Sequence, residues 1–237
     1  MKSNTAFRKA IQYYKENELI FASKVYKESM SKDISEVAYY KMLERMYKDG
    51  ELAKAARGIY YKPKSSKYGI IPPSQEQIIE SFTKNNTGTV IGYALYNRLN
   101  LTTQVAKTVQ VLSSTLDGFT KTIRNVSIKQ VELEFTQDVE DMIQGLDVLQ
   151  NFYEIEDINY LAFLKYCNTL AEYYREDVFE KVISKVSYKK STIAFLREIL
   201  CYYNVQNTLD KYLSALSNYK YPRMEELHEL AQTFRGI

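Results

Sequence analysis

The chain has 237 residues, 45% of them hydrophobic and 26% charged, with a formal net charge of +3. That length sets a prior of one or two domains, and the apolar content suits a globular protein with a sizeable core. No window approaches the ~18 apolar residues of a membrane span, so no membrane partner is expected.

Other global features narrow the class. Gly and Pro are few, which favours helices. Cys167 and Cys201 lie far apart inside apolar helical patterns and read as small buried hydrophobes in a reducing compartment. The Lys2-Ser3-Asn4 start has no apolar stretch behind it, so no secretory leader is expected and the protein is expected in the cytoplasm. Charge is unevenly spread. Residues 1–137 hold 21 Lys+Arg against 13 Asp+Glu, a net of +8, and residues 138–237 hold 11 against 16, a net of −5. A basic front and an acidic back suggest a nucleic-acid-facing part joined to something else.

In chain order, residues 4–18 read as a helix, with Phe7, Ala10, Ile11 and Tyr14 at helical spacing. A short second helix follows over 22–28, with Val25 inward. The third runs from Asp33, an N-cap with Glu36 three residues on, to Gly50, a C-terminal stop. On it Tyr40, Leu43 and Tyr47 share one face, with Val37 and Met46 at the margins, while Ala38, Lys41, Arg45 and Lys48 share the other. Small residues and cations on one helix face suit a major groove. A short hairpin follows, with Leu52 and Ile59 inward, Gly58 at the turn, and Lys54 and Arg57 near the tip. Three helices and a basic hairpin read as a winged helix-turn-helix over 1–67. The same pattern also describes an ordinary helix-and-hairpin element with solvated cations.

Residues 62–73 read as a connector broken by Pro63, Gly69, Pro72 and Pro73, with Lys62, Lys64 and Lys67 available to phosphate. Ser74 caps a helix through Thr83. Residues 89–99 begin extended and become a short helix. Strands are expected over 107–113, 119–125 and 127–135, the last with a change of phase near 129–131 that suggests a bulge. Residues 68–137 thus form a small α+β unit packed on the winged helix. Residues 138–237 carry apolar positions at three- and four-residue spacing, including Leu209, Leu213 and Leu216, and read as a bundle of five or six helices. The Lys185–Lys190 segment reads as a solvated helix end with Lys favoured by the dipole.

Three landmarks carry a family resemblance: Arg57-Gly58-Ile59-Tyr60-Tyr61; Gly92-Tyr93-Ala94-Leu95 after Pro72; and Leu101-Thr102-Thr103-Gln104-Val105. Over about the first 135 residues the chain resembles the AbiEi-type antitoxins of type IV toxin–antitoxin systems. It departs from the pattern at Ala106, where such antitoxins usually carry proline. The resemblance implies a winged-helix antitoxin that represses its own abortive-infection operon and is paired with a nucleotidyltransferase-like toxin.

The chemistry of catalysis is thin. His228 is the single histidine, and there is no HExxH, CxxC or glycine-rich phosphate loop. No enzyme activity, cofactor or metal is therefore expected. The expected fold is α+β, with an N-terminal winged helix-turn-helix, a small α+β unit and a C-terminal acidic helical bundle. The expected function is a DNA-binding antitoxin and autorepressor, with double-stranded DNA of its own promoter as partner. Ser35, Ala38, Tyr39, Lys41, Met42 and Arg45 are the candidate groove contacts. Lys48, Lys54 and Arg57 are the candidate phosphate or wing contacts. Two alternatives stay open: a module whose acidic helical part holds a protein partner such as the toxin, and a plain winged-helix regulator without a toxin. Homodimerisation also stays open.

Overall fold

The computed structural model describes residues 8, 9 and 11–233 of the chain. The fold is mixed α+β. It divides into two compact units, Met1–Phe82 with Leu116–Ile128, and Thr83–Thr115 with Lys129–Ile237. The three segments expected from the sequence do not coincide with these units, because residues 68–137 are shared between both. Burial explains the division. Leu95, Tyr96, Leu101 and Leu112 are buried in the same apolar cluster as the helices beyond residue 138.

In the first unit, the helix expected over 4–18 falls partly outside the described residues, and within them helix is present at 8–9 and 11–12 only. The Lys62 ammonium donates to the carbonyls of Gln12 and Tyr14 at 3.0 and 2.8 Å, satisfying acceptors at that helix end. Asn17, at φ 62, then turns the chain into β1 (Leu19–Phe21), which the sequence reading missed. Helix α1 (Ala22–Val25) runs on through a π-helical turn, Tyr26–Met30.

Helix α2 spans Glu36–Lys48. Ser35, not Asp33, is its N-cap: the Ser35 side chain accepts from the Ala38 N–H at 3.4 Å. Gly50, at φ 75, ends it as expected, and the Glu51 N–H returns to the Met46 carbonyl at 2.9 Å. The buried stripe is Tyr39, Leu43 and Met46, at i, i+4 and i+7. This corrects the expected apolar face, since Val37 and Tyr47 are 67% and 47% exposed.

Strands β2 (Ala53–Ala56) and β3 (Ile59–Tyr61) form the expected hairpin, with Gly58 at φ 76 in its turn and Leu52 and Ile59 buried. Strand β3 lies between β1 and β2, antiparallel to both, pairing Ile59 with Phe21 and with Ala56. A bulge falls between Lys54 and Ala56. The expected connector holds a second, fully exposed hairpin, β4 (Lys64–Ser66) with β5 (Gly69–Ile71). Helix α3 (Gln75–Thr83) has a reciprocal capping box: the Gln77 N–H donates to Ser74 Oγ at 3.2 Å and the Ser74 N–H to Gln77 Oε1 at 2.9 Å. Its Phe82 ring meets Phe21 edge-on at 5.1 Å. The chain returns to this unit through β8 (Thr120–Ile123) and into β9 (Val126–Gln130), burying Leu116, Ile123, Val126 and Ile128.

In the second unit, β6 (Gly88–Ile91) pairs antiparallel with β7 (Val109–Ser113), joined through α4 (Tyr93–Arg98). Beyond Gln130 the chain is not a strand, so the expected strand over 127–135 is shorter and its change of phase marks where pairing ends. Helices α5 (Gln137–Gln150), α6 (Tyr160–Glu172), α7 (Glu176–Ile183), α8 (Lys190–Tyr202) and α9 (Met224–Thr233) follow. The helix expected through Leu209, Leu213 and Leu216 is a single 3-10 turn, Leu209–Tyr212, and Leu216 is fully exposed. Cys167 is buried, but Cys201 is exposed, correcting the expectation for it. Among the described residues, no helix is long and apolar enough to cross a membrane.

Candidate nucleic-acid interface

The exposed side of α2 follows from its buried stripe. At about 100° per residue, the positions opposite Tyr39, Leu43 and Met46 are Val37, Lys41, Glu44 and Lys48, with Ala38 and Arg45 beside them. All six are exposed. Glu44 and Lys48 pair at 3.1 Å on that face, so one cation of the stripe is partly neutralised. Ser35 is exposed at the helix start and Met42 is half-buried at the edge of the face.

Tyr39 does not belong to this surface. It is completely buried, and its hydroxyl donates to the Ala22 carbonyl at 2.9 Å. Burial first, and the neighbouring phenols after it, hold the Tyr39 hydroxyl well above the usual tyrosine range, so it stays a neutral donor. It sits one position from Tyr40, and a single residue's step of 100° carries a side chain from rim to core. Lys62 is likewise committed to the carbonyls of Gln12 and Tyr14 rather than free for phosphate.

Lys54 and Arg57 are exposed on the β2–β3 hairpin. A cleft of about 570 Å³ opens beside them, within the first unit. Tyr40 contributes from α2; Lys54, Arg57 and Gly58 from the hairpin; Asp117 and Lys121 from the returning segment. The Lys121 ammonium donates to the Arg57 carbonyl at 2.9 Å. The Ser23 hydroxyl donates to the Asp117 carboxylate. Burial, with smaller contributions from Glu36 and Asp117, raises the Tyr40 hydroxyl above its ordinary value. The cleft is therefore lined by three cations and a carboxylate, with a neutral phenol in its wall.

Eight of the nine candidate residues thus reach the surface: seven are exposed and Met42 is half-buried. The sequence reading missed Val37, Glu44, Ser23, Asp117 and Lys121. Helical phase held the signal for Val37 and Glu44. Lys121 lies 64 residues beyond Arg57, and no spacing rule brings them together.

Among the described residues, no group of three or more His, Cys, Asp and Glu is placed to hold a metal ion. The features define a mixed α+β protein with a cationic helix-and-hairpin face. The chain belongs to DUF6088, a family of unknown function whose pattern matches residues 7–145 and so includes every candidate residue. No curated protein matches the sequence.

Proposed function

We propose that this chain is a DNA-binding antitoxin and transcriptional autorepressor of a type IV toxin–antitoxin operon, acting in the cytoplasm without catalysis of its own. One observation carries the DNA side: the exposed face of α2 and the tip of the β2–β3 hairpin present Lys41, Arg45, Lys48, Lys54 and Arg57 from one compact unit. The order strand, helix, helix, hairpin among the described residues, with β3 between β1 and β2, supports the winged helix-turn-helix reading. In this reading α2 enters a major groove, with Val37 and Ala38 allowing close approach to base edges. The hairpin grips the adjacent backbone or minor groove, and bound protein blocks the promoter. The antitoxin part rests on the resemblance to AbiEi-type proteins, which supplies a nucleotidyltransferase-like toxin as partner.

A second reading is favoured by the other unit. Tyr153, Tyr173 and Tyr202 are 61%, 71% and 40% exposed on the acidic, helix-rich part of the chain, which we infer to be a bundle. Tyrosine is enriched in protein interfaces, so this part suits contact with the toxin or a second copy.

The test is fluorescence anisotropy on the DNA upstream of the chain's own reading frame. Arg45→Ala should cost about 1–3 kcal/mol and relax base preference, whereas Arg57→Ala should weaken all sequences alike. If neither substitution moves the titration at moderate salt, the reading face is wrongly assigned. A neighbouring frame encoding a nucleotidyltransferase-like protein supports the antitoxin reading, and its absence favours a plain regulator.

A further inference from the structure

We propose that the returning segment Leu116–Ile128 is a second DNA-contacting arm, and that its Lys121 forms a phosphate clamp with Arg57 and Lys54 in the cleft beside α2. The proposal rests on the DNA-binding reading above and adds an element from outside the winged-helix region. A duplex with α2 in its major groove and the hairpin on the neighbouring minor groove must carry one backbone strand across the gap between them. That gap is the cleft of about 570 Å³, walled by α2, the hairpin and the arm. Its charge complements a phosphodiester, with three cations against Asp117, the single acid among the described lining residues.

The arm is held for this task. Leu116, Ile123, Val126 and Ile128 are buried beneath it. The Arg124 guanidinium donates to the Pro73 carbonyl at 2.7 Å, and the Asn125 amide donates to Gln75 Oε1. Lys121 is thereby fixed at the hairpin tip. Its ammonium has three donors and spends one on the Arg57 carbonyl, which aims the charge without neutralising it. Gly58 keeps the turn beside it bare: a Cβ there would meet nothing within 4 Å. Asp117 opposes the phosphate and sets the strength of the clamp, with its carboxylate held by the Ser23 hydroxyl.

The experiment measures affinity against salt for the full chain on two duplexes of equal length, the upstream DNA and a scrambled sequence. Lys121→Gln should weaken both duplexes by the same factor and lower the salt slope by about 0.9, the share of one phosphate contact. Lys121→Arg should retain the slope. Asp117→Asn should tighten both duplexes several-fold. An unchanged slope for Lys121→Gln, while Arg45→Ala still weakens the upstream duplex, overturns the clamp and leaves the DNA-binding reading intact. Equal loss in Lys121→Arg and Lys121→Gln also overturns it, by showing that a retained positive charge at this position does not preserve binding. Wild-type protein that binds neither duplex sinks both readings.

Discussion

The Tyr39 hydroxyl donates a 2.9 Å hydrogen bond to the Ala22 carbonyl, tying the first turn of α2 to the start of α1. The bond is buried, and the phenol packs between Tyr26 and Tyr40 at centroid distances of 5.2 and 5.4 Å. The Tyr26 N–H also reaches the Ala22 carbonyl, so removing the phenol's donor leaves that acceptor half-satisfied rather than orphaned. Tyr39→Phe should therefore cost about 0.5–1.5 kcal/mol in urea denaturation. DNA affinity should be unchanged at temperatures where the variant is folded. Lost affinity in a folded variant would put Tyr39 back on the reading face.

Val37 is a β-branched residue standing 67% exposed on a helix, where neither packing nor propensity favours it. Its place beside Lys41 suits apolar contact with a thymine methyl group. Val37→Ala should leave stability equal or raise it by about 0.5 kcal/mol, from helix propensity alone. It should also lower affinity for the upstream DNA by about 1 kcal/mol, the worth of a methylene or so removed from water. Replacing thymine by uracil in the duplex, one position at a time, provides the check. Wild type should lose affinity at one position where Val37→Ala is indifferent. Equal sensitivity in both proteins at every position would remove Val37 from the groove.

The legible parts of the fold were those fixed by local chemistry. Ser74 and Gln77 stand three apart and make the reciprocal cap their spacing suggests. Gly50 and Gly58 adopt the positive φ that their positions require. Leu52 and Ile59 are buried as expected, and Tyr60 and Tyr61 are buried beside them because β3 is the middle strand of its sheet. The phase of α2 was less legible, because Val37, Tyr39, Tyr40 and Tyr47 offer two apolar stripes. Only the partner surface of Ala22 and Val25 selects Tyr39 for the core. Strand β1 has three residues, and its pairing with Ile59–Tyr61, some forty residues on, decides that it is a strand at all. The cleft was illegible for the same reason: Asp117 and Lys121 reach Ser23 and Arg57 only through non-local packing.

In the second unit, buried Asp147 accepts from the Gly92 N–H at 2.8 Å and the Tyr96 hydroxyl at 2.9 Å, with the Asn151 amide at 3.3 Å on its other oxygen. Gly92 sits at φ 69, ψ −156, a conformation open to glycine, and its N–H points at the carboxylate. Asp147→Ala leaves the Gly92 N–H without its acceptor, while the Tyr96 hydroxyl and the Asn151 amide keep the Asp147 backbone carbonyl at 3.4 and 2.9 Å, and should cost about 1–3 kcal/mol. Burial outweighs the three hydrogen bonds and raises the Asp147 carboxyl above its ordinary value. A raised folded-state value means that the group's contribution is fully present below the unfolded value of ~3.9 and is lost as pH rises through the folded one. Wild type should accordingly gain stability relative to Asp147→Asn as pH falls from neutral toward about 4. Denaturation curves at several pH values read this directly. A relative loss on acidification would mean that the hydrogen bonds, not burial, control the carboxyl.

Lys189 and Lys190 test the division of labour between the two units. They stand at the N-terminus of α8, with Lys189 as the capping residue, and no acid lies in the first turn. The sequence reading placed these lysines at a helix end favoured by the dipole; the structure puts them at the opposite end, where a cation is unfavourable. Reversing both charges should therefore stabilise the protein by about 0.5–1 kcal/mol at low ionic strength, with the gain fading as salt is added. DNA affinity should respond differently. If phosphate contact runs through α2, the hairpin and the arm, Lys189→Glu with Lys190→Glu removes no contact and leaves the salt slope unchanged. If α8 lies on the duplex, two contacts vanish and the slope falls by about two units. Calorimetry and anisotropy on the same double variant separate these outcomes. A raised Tm with an unaltered slope assigns the acidic helices to protein partners, and a fallen slope extends the DNA surface onto α8.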